Sequence, residues 1–497
     1  MPMGWGMDSS VGGAHDVAAL LGGWSGGDGP LYRKLAAALR RAVEDGALAA
    51  GDRLPSERAL AAALAVSRTT VVAAYDELRG AGLLDSRQGS GTRISARTRP
   101  APSNGYVRGG SGLSLYQRLI DGPGDLISLA CVTTEALPPV PDIIREVADR
   151  HLSDLLTETG YHPRGLPELR EAVADHYTAL GLPTHPDQIV VTTGVQQAVT
   201  FVCDLYLYRG SAALIESPSF AGCLDSLRAA GADLLTVPVD DEGVDIARMR
   251  RVLRERRPDL MYLMPNYQNP TGVLMSAARR RQVAELAAEH GVPVFEDGAY
   301  TGLRAPDEPP PVAAFAPPGA EVITAASVSK TAWAGLRIGW LRASAAVAER
   351  ISRRKVITDL GSPLLDQAVA ARIVRRLPEV AAARSAHLAE RMLFLEERLR
   401  ERLPSWSWRR PDGGAALWVR LPDGTDARVF AQVALRHGVE VVPGSVMAPC
   451  GDYDSYFRLT FSHSFDRLTA LADRLARAWE DLCRYGPVES YAPRVVV

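Results

Sequence analysis

Three lysines, Lys34, Lys330 and Lys355, stand among 56 basic residues, and every other cation of this kind is arginine. Each lysine therefore raises the question of what arginine cannot do. A primary amine that sheds its proton can form a Schiff base with an aldehyde, and a guanidinium cannot. Lys330 lies in Ser327-Val328-Ser329-Lys330-Thr331-Ala332-Trp333-Ala334-Gly335-Leu336-Arg337, where two hydroxyls, Ser327 and Ser329, and the fork of Arg337 suit a phosphate. Asp297 ends the apolar run Val294 to Glu296, and Tyr300 follows it. Asn269 sits in Asn266-Tyr267-Gln268-Asn269-Pro270-Thr271-Gly272, and Phe220 closes Ser217-Pro218-Ser219-Phe220. Gly194-Val195-Gln196 separates a strand-like run from a helical stretch, so its N–H groups face an anion at the positive helix end. Arg458 is the single charge in Phe457-Arg458-Leu459-Thr460-Phe461, and a carboxylate is its natural partner. Taken singly, each has an ordinary reading: a surface lysine, a loop-forming aspartate, a core phenylalanine, a plain turn, a surface arginine.

Together these residues meet the needs of pyridoxal 5'-phosphate (PLP), which wants an amine for its aldehyde, an anion for its ring nitrogen, a flat group on its face and a phosphate cup. From about residue 113 to 480 the chain resembles the fold-type I aminotransferases. That resemblance implies that Lys330 carries the cofactor, Asp297 pairs the ring nitrogen, and Asn269 and Tyr300 hold the ring oxygen, with Lys330, Asp297 and Tyr300 as the catalytic set. It implies that Phe220 stacks, that Gly194, Val195, Gln196, Ser327, Ser329 and Arg337 bind phosphate, and that Arg458 takes a substrate carboxylate. Tyr161, in Tyr161-His162-Pro163-Arg164-Gly165, matches a tyrosine that such dimers lend to the neighbour's phosphate.

These residues need a frame. Short apolar runs, Gln188 to Thr192, Ala212 to Glu216, Leu260 to Met264, Pro293 to Glu296 and Glu321 to Thr324, alternate with helical stretches such as Ser276 to His290, which ends at Gly291. This alternation predicts an α/β fold with a mostly parallel sheet covered on both faces. Near residue 375 the pattern changes to a long charged helix, strands around Trp418, Val441 and Phe457, and a last helix, which predicts a smaller α+β lobe.

The N-terminal region reads differently. A helix from Leu31 to Glu44 leads to Leu54-Pro55-Ser56-Glu57-Arg58, where Ser56 can cap a helix that runs to about Leu64. Ser67 can cap another, running through Arg68, Thr69 and Thr70 to Arg79, and a helix-turn-helix results. Gly82 to Asp85 and Gly89 to Arg93 then predict a small wing. The block resembles the winged helix-turn-helix of the GntR family over its whole length. By that resemblance Arg58, Ser67, Arg68, Thr69 and Thr70 meet DNA, with Gln88 and Gly89 at the wing. Many members carry an arginine where this chain has Val72, which bears on sequence preference. Residues 31–100 hold twelve Arg and Lys against seven Asp and Glu, an excess of five, so the remainder lies near -7 given a net charge of -2. A basic segment on an acidic body suits a polyanion.

At 497 residues the chain predicts several domains: a disordered leader over 1–29, a head over 30–97, a linker over 98–115 and a PLP domain over 116–490. Nine glycines mark the leader. Five cysteines without CxxC spacing read as reduced thiols in a cytoplasm, with no metal site, and no stretch is apolar enough to span a bilayer.

The two parts in tandem resemble the MocR-type regulators. The expectation is a homodimeric transcription regulator that binds operator DNA and senses PLP, an amine or an amino acid by aldimine exchange at Lys330. The alternative is an active aminotransferase with an accessory DNA-binding head. One departure supports it: such regulators often read His-Gln-Phe-Pro-Thr-Gly where this chain has the form of genuine aminoadipate-like aminotransferases, Asn266 to Gly272.

Overall fold

The computed structural model describes residues 13–26, 29–87, 91–95, 126–132, 135–303 and 308–485. Gln88 and Gly89, and the linker expected over 98–115, lie outside the described residues. The head has three helices, Leu31–Glu44, Glu57–Leu64 and Arg68–Gly80, followed by antiparallel strands Leu84–Arg87 and Gly91–Ile94. Ser56 and Ser67 cap the second and third helices, each accepting from an amide 3.2 Å away. The apolar faces of the three helices, with Leu35, Leu39, Leu60, Leu64, Val71 and Tyr75, form one core. The Tyr75 hydroxyl satisfies itself on the Pro55 carbonyl at 2.9 Å.

The leader departs from expectation. Ala14–Leu20 is a helix, and Val17, Ala18, Leu21 and Trp24 are buried in the same core as the head. Its glycines lie outside the helix itself, with Gly22 and Gly23 between Leu21 and Trp24, and Val17, Leu21 and Trp24 recur at helical spacing. Burial of those side chains offsets the ordering entropy that a glycine-rich segment otherwise cannot meet.

The large domain is built on an eight-stranded sheet. Its order is Ile189–Thr192, Gly339–Arg342, Val322–Ser327, Val294–Gly298, Leu260–Leu263, Ala212–Ser217, Asp233–Asp240 and Gly243–Val244. Only Gly339–Arg342 and the short Gly243–Val244 run against the rest. The inner strands are buried on both faces, between two separate apolar clusters, whereas Asp233–Asp240 near the edge is partly exposed. Helix Ala277–His290 runs as expected, with Ser276 as its cap and Gly291 left-handed at its end. The smaller lobe carries a four-stranded sheet in the order Ser407–Trp408, Ala416–Arg420, Tyr456–Thr460 and Val442–Pro443, packed with helices Leu377–Arg402 and Phe465–Tyr485.

One further pair of strands joins the two ends of the chain. Ile127–Ser128 runs parallel to Val439–Glu440. Val439–Glu440 directly follows helix Ala427–Arg436, which packs on the head's helix Glu57–Leu64. There Arg436 donates to the Leu64 carbonyl at 3.3 Å, and Ala65 is buried in an apolar core shared with the large domain and the smaller lobe.

Candidate active site

In an open parallel sheet, ligands collect at the carboxyl ends of the strands. Five of the segments singled out above lie there: Gly194 beyond Thr192, Phe220 beyond Ser217, Asn269 beyond Leu263, Asp297 at the end of its strand, and Lys330 beyond Ser327. Gly194, Val195, Gln196, Phe220, Asn269, Asp297, Tyr300, Ser327, Ser329, Lys330, Arg337 and Arg458 line one cavity of about 540 Å³.

At one end is an anion cup. Helix Val195–Tyr206 starts without a side-chain cap, so its first amides are open. Gly194 has φ +115, and a Cβ there would come within 3.2 Å of the Arg337 guanidinium. Arg337 donates to the Thr193 carbonyl at 2.8 Å and so stays beside the open amides. Phe220 projects along the cavity wall, and a Cβ on Gly222 would collide with its ring at 2.7 Å.

At the other end is Asp297, fully buried. Its Oδ1 accepts from the Ala299 amide at 2.9 Å and its Oδ2 from the Tyr262 hydroxyl at 2.5 Å. Burial pushes its carboxyl up to about 6, and the tyrosine and amide hydrogen bonds oppose that rise. Burial also pushes the Tyr300 phenol up to about 12. Lys330 donates from Nζ to the Val132 carbonyl at 2.7 Å. Its amine is brought down to about 8, first by burial and then by the repulsion of Arg458 and Arg337, against the opposing pull of Cys131. A tenth or so of such an amine is free at neutral pH, which suits attack on an aldehyde.

Arg458 sits in the small lobe's strand Tyr456–Thr460 and is buried. It donates to the Leu129 carbonyl at 2.9 Å, to the Ala130 carbonyl and to Asn269 Oδ1 at 3.3 Å, while its Nε has no partner among the described residues. The cavity thus presents an amine, a buried carboxylate, an aromatic face, an anion cup and a buried guanidinium. That donor set fits PLP and an α-amino acid. Among the described residues no group of side chains could hold a metal.

Tyr161 stands apart. It is 68% exposed and lines a different cleft, with His162, Arg164 and Val356. Sequence reasoning missed Cys131, Val132, Cys223 and Tyr262. Tyr262 did give a signal, because a tyrosine in a strand buried on both faces must find a partner for its hydroxyl.

In the head, Arg58, Arg68 and Thr69 are exposed at the starts of the two helices. Ser67 is occupied with capping, and its hydroxyl also contacts those of Thr69 and Thr70 at 2.7 and 2.9 Å.

Residues 131–475 match the family model for aminotransferase class I and II, and residues 31–94 match that for bacterial regulatory proteins of the gntR family. The chain belongs to the class I and II aminotransferase family, with a GntR-type head. This is the MocR-type arrangement. The HTH-type transcriptional regulator YisV of Bacillus subtilis is 31% identical over 88% of this chain and 93% of its own length. A 2-aminoadipate transaminase of Thermus thermophilus is 31% identical over 69% of this chain and 89% of its own. The crystal structure of LysN, an α-aminoadipate aminotransferase of Thermus thermophilus complexed with N-(5'-phosphopyridoxyl)-L-leucine, superimposes with a TM-score of 0.66 at 27% identity, over 75% of this chain and 97% of that one.

Proposed function

We propose that this MocR-type chain is a DNA-binding transcription regulator whose PLP pocket reads an amine or α-amino acid. PLP is its cofactor. Bound, it supplies an electrophilic aldehyde and an electron-withdrawing ring. Lys330 supplies the amine for the aldehyde and Asp297 the anion for the ring nitrogen. Asn269 and Tyr300 face the ring oxygen, and Phe220 the ring plane. Gly194, Val195, Gln196, Ser327, Ser329 and Arg337 take the phosphate. Arg58, Ser67, Arg68, Thr69, Thr70, Gln88 and Gly89 are the DNA contacts of this reading.

One observation carries the sensing role. Lys330 and Arg458, the two groups an amino acid would engage, are both held by carbonyls of the four-residue stretch Leu129 to Val132. That stretch continues from Ile127–Ser128, which pairs with Val439–Glu440, and the Ser128 hydroxyl bonds to Glu440 at 2.5 Å. The next element is the helix seated on the head. A substrate carboxylate competes with two carbonyls for Arg458, its amine replaces Lys330 and leaves that Nζ to the Val132 carbonyl, and the changed hold on the stretch biases the seat of the head.

The partner for such a chain is a second copy. Leu156, Ile357, Leu360 and Leu365 are large apolar residues left exposed, and Tyr161 and Val356 share a cleft. A homodimer covers such residues and brings Tyr161 towards the neighbour's cup, and a species of one chain's mass in sedimentation would contradict it. No helix among the described residues is long and apolar enough to cross a membrane, and a cytoplasmic setting completes the reading.

The test combines colour and footprint. Wild-type protein incubated with PLP gains a visible band that borohydride bleaches, leaving the cofactor attached through denaturation, and Lys330→Ala treated in the same way retains no cofactor after denaturation. N-phosphopyridoxyl-alanine, which carries ring, phosphate and carboxylate together, then shifts the protein's footprint on the DNA upstream of its own gene. Transamination at about 1 per second or faster with an unaltered footprint would instead establish the second reading, an aminotransferase with a DNA-binding head, which the Asn266 to Gly272 segment favours.

A further inference from the structure

We propose that Tyr262, backed by Cys223, is a positioning residue that fixes the Asp297 carboxylate for the pyridine nitrogen. The inference rests on the reading of the cavity as a PLP site. Tyr262 sits in the middle of strand Leu260–Leu263, beside the Asp297 strand, and is 1% exposed. Two parts of its side chain do separate jobs. The ring stacks on Phe295, with centroids 5.7 Å apart and planes 13° from parallel. The hydroxyl leaves that stack and donates to Asp297 Oδ2 at 2.5 Å.

A phenol has one hydrogen to give, so with that hydrogen on Asp297 it can only accept from elsewhere. Cys223, fully buried in helix Ala221–Ala229, lies beside the same hydroxyl, and burial holds its thiol neutral. Donation runs from Tyr262 to Asp297 and ends on the carboxylate facing the cavity, and the neutral thiol beside the hydroxyl can only reinforce that direction. Without it a buried carboxylate would keep one backbone amide, at Oδ1, as its hydrogen-bond donor among the described residues. A buried carboxylate with a single donor takes up a proton readily, and a protonated one loses its ion pair with a pyridinium.

Other charges bear on Asp297 without replacing this contact. Glu216, at the end of the next strand, is buried and pushed up to about 7, first by burial, with repulsion from Asp297 adding to it. Tyr300 is close enough to feel the Asp297 charge. Lys330 and Arg458 line the same cavity. None of these donates a hydrogen bond to it.

Phenylalanine at 262 keeps the stacked ring and deletes only the hydroxyl, so it separates positioning from packing. PLP affinity of the full-length protein is measured by equilibrium dialysis from pH 5 to 9, with thermal melting as the check on folding. Wild type holds PLP above the Asp297 range near 6 and loses it below. Tyr262→Phe melts near wild type, binds PLP about tenfold more weakly at pH 7 (the loss of one hydrogen bond to a charged group), and its midpoint for loss moves up by about one pH unit. Cys223→Ala moves the midpoint the same way by less, since a thiol is a weak donor. Asp297→Asn binds weakly with no such midpoint.

A folded Tyr262→Phe with wild-type affinity and midpoint overturns the inference while leaving the PLP reading intact. Should Tyr262→Phe fail to fold, the midpoint of Cys223→Ala decides, and an unshifted one overturns it. A wild-type chain that takes up no PLP at any pH overturns the reading, and the inference with it.

Discussion

Lys330 shows what a reactive residue does to the stability of its own fold. Its amine is brought down to about 8, chiefly by burial, whereas in an unfolded chain it titrates near 10.4. Below about 8 both states hold the proton, and the folded one bears the full cost of a buried charge. Between about 8 and 10.4 the unfolded chain binds more protons, so stability rises with pH across that window. Lys330→Met should therefore make the cofactor-free protein more stable at pH 7, by roughly 1–3 kcal/mol, and the advantage should shrink as pH approaches 10. Melting curves of both proteins at the two pH values check this. A less stable variant at pH 7 would mean that the bond to the Val132 carbonyl outweighs burial. At this scale the residues with singular chemistry were legible in sequence: an amine among guanidiniums, or one arginine in an apolar strand. Val132 was not, because it acts through a carbonyl that any residue offers. Tyr262 signalled only that its hydroxyl needs a partner, and which partner it takes shows only through the neighbouring strand.

Secondary elements bring those residues together, and the N-terminus of helix Val195–Tyr206 is the most exacting of them. Gly194 has a positive φ, and a Cβ there would press to 3.2 Å on the Arg337 guanidinium. Behind it, a Cβ on Gly339 would come within 2.7 Å of the Gly194 Cα, so strand Gly339–Arg342 and the turn at Gly194 approach as closely as glycine allows. Gly194→Ala should leave the melting curve within a few degrees of wild type and weaken PLP binding by about tenfold or more, equivalent to about 1.4 kcal/mol, since Arg337 and the open amides no longer converge. Equilibrium dialysis against PLP measures it, and an unchanged affinity would place the phosphate elsewhere. Elements with strong local signals were readable from sequence: Ser56, Ser67 and Ser276 all cap the helices they were expected to start. The reversed strand Gly339–Arg342 gave no such signal, because its direction is set by pairing between Val322–Ser327 and Ile189–Thr192 and not by its own residues. The helix Ala14–Leu20 was hidden by the glycines around it, although Val17, Leu21 and Trp24 recur at helical spacing.

For the whole molecule the question is how a cavity at the sheet's edge reaches a head that reads DNA. The head is seated, and its seat is small. Arg436 closes the Leu64 carbonyl at the end of the head's second helix, beside the left-handed Ala65. A second contact, His15 to Asp426 at 3.7 Å, is weak, because burial and then Arg428 hold His15 below its usual range and so neutral at pH 7. Arg68 and Thr69 stay exposed, so the seat sets the direction in which the reading helix points and leaves its surface open. A contact of this size can be shifted by a ligand whose affinity for the two seatings differs modestly. Arg436→Ala should leave the PLP band untouched and speed amide exchange at Leu64 to Val66, where backbone bonds from Ala65 and Val66 close the helix. In wild type, N-phosphopyridoxyl-alanine should speed exchange at the same three residues by drawing Arg458 off Leu129 and Ala130. In Arg436→Ala the ligand should add little, since the seat is already loose. Exchange there that is equally slow with and without ligand in wild type would show that the helix Ala427–Arg436 only carries the head, and that the signal takes another route.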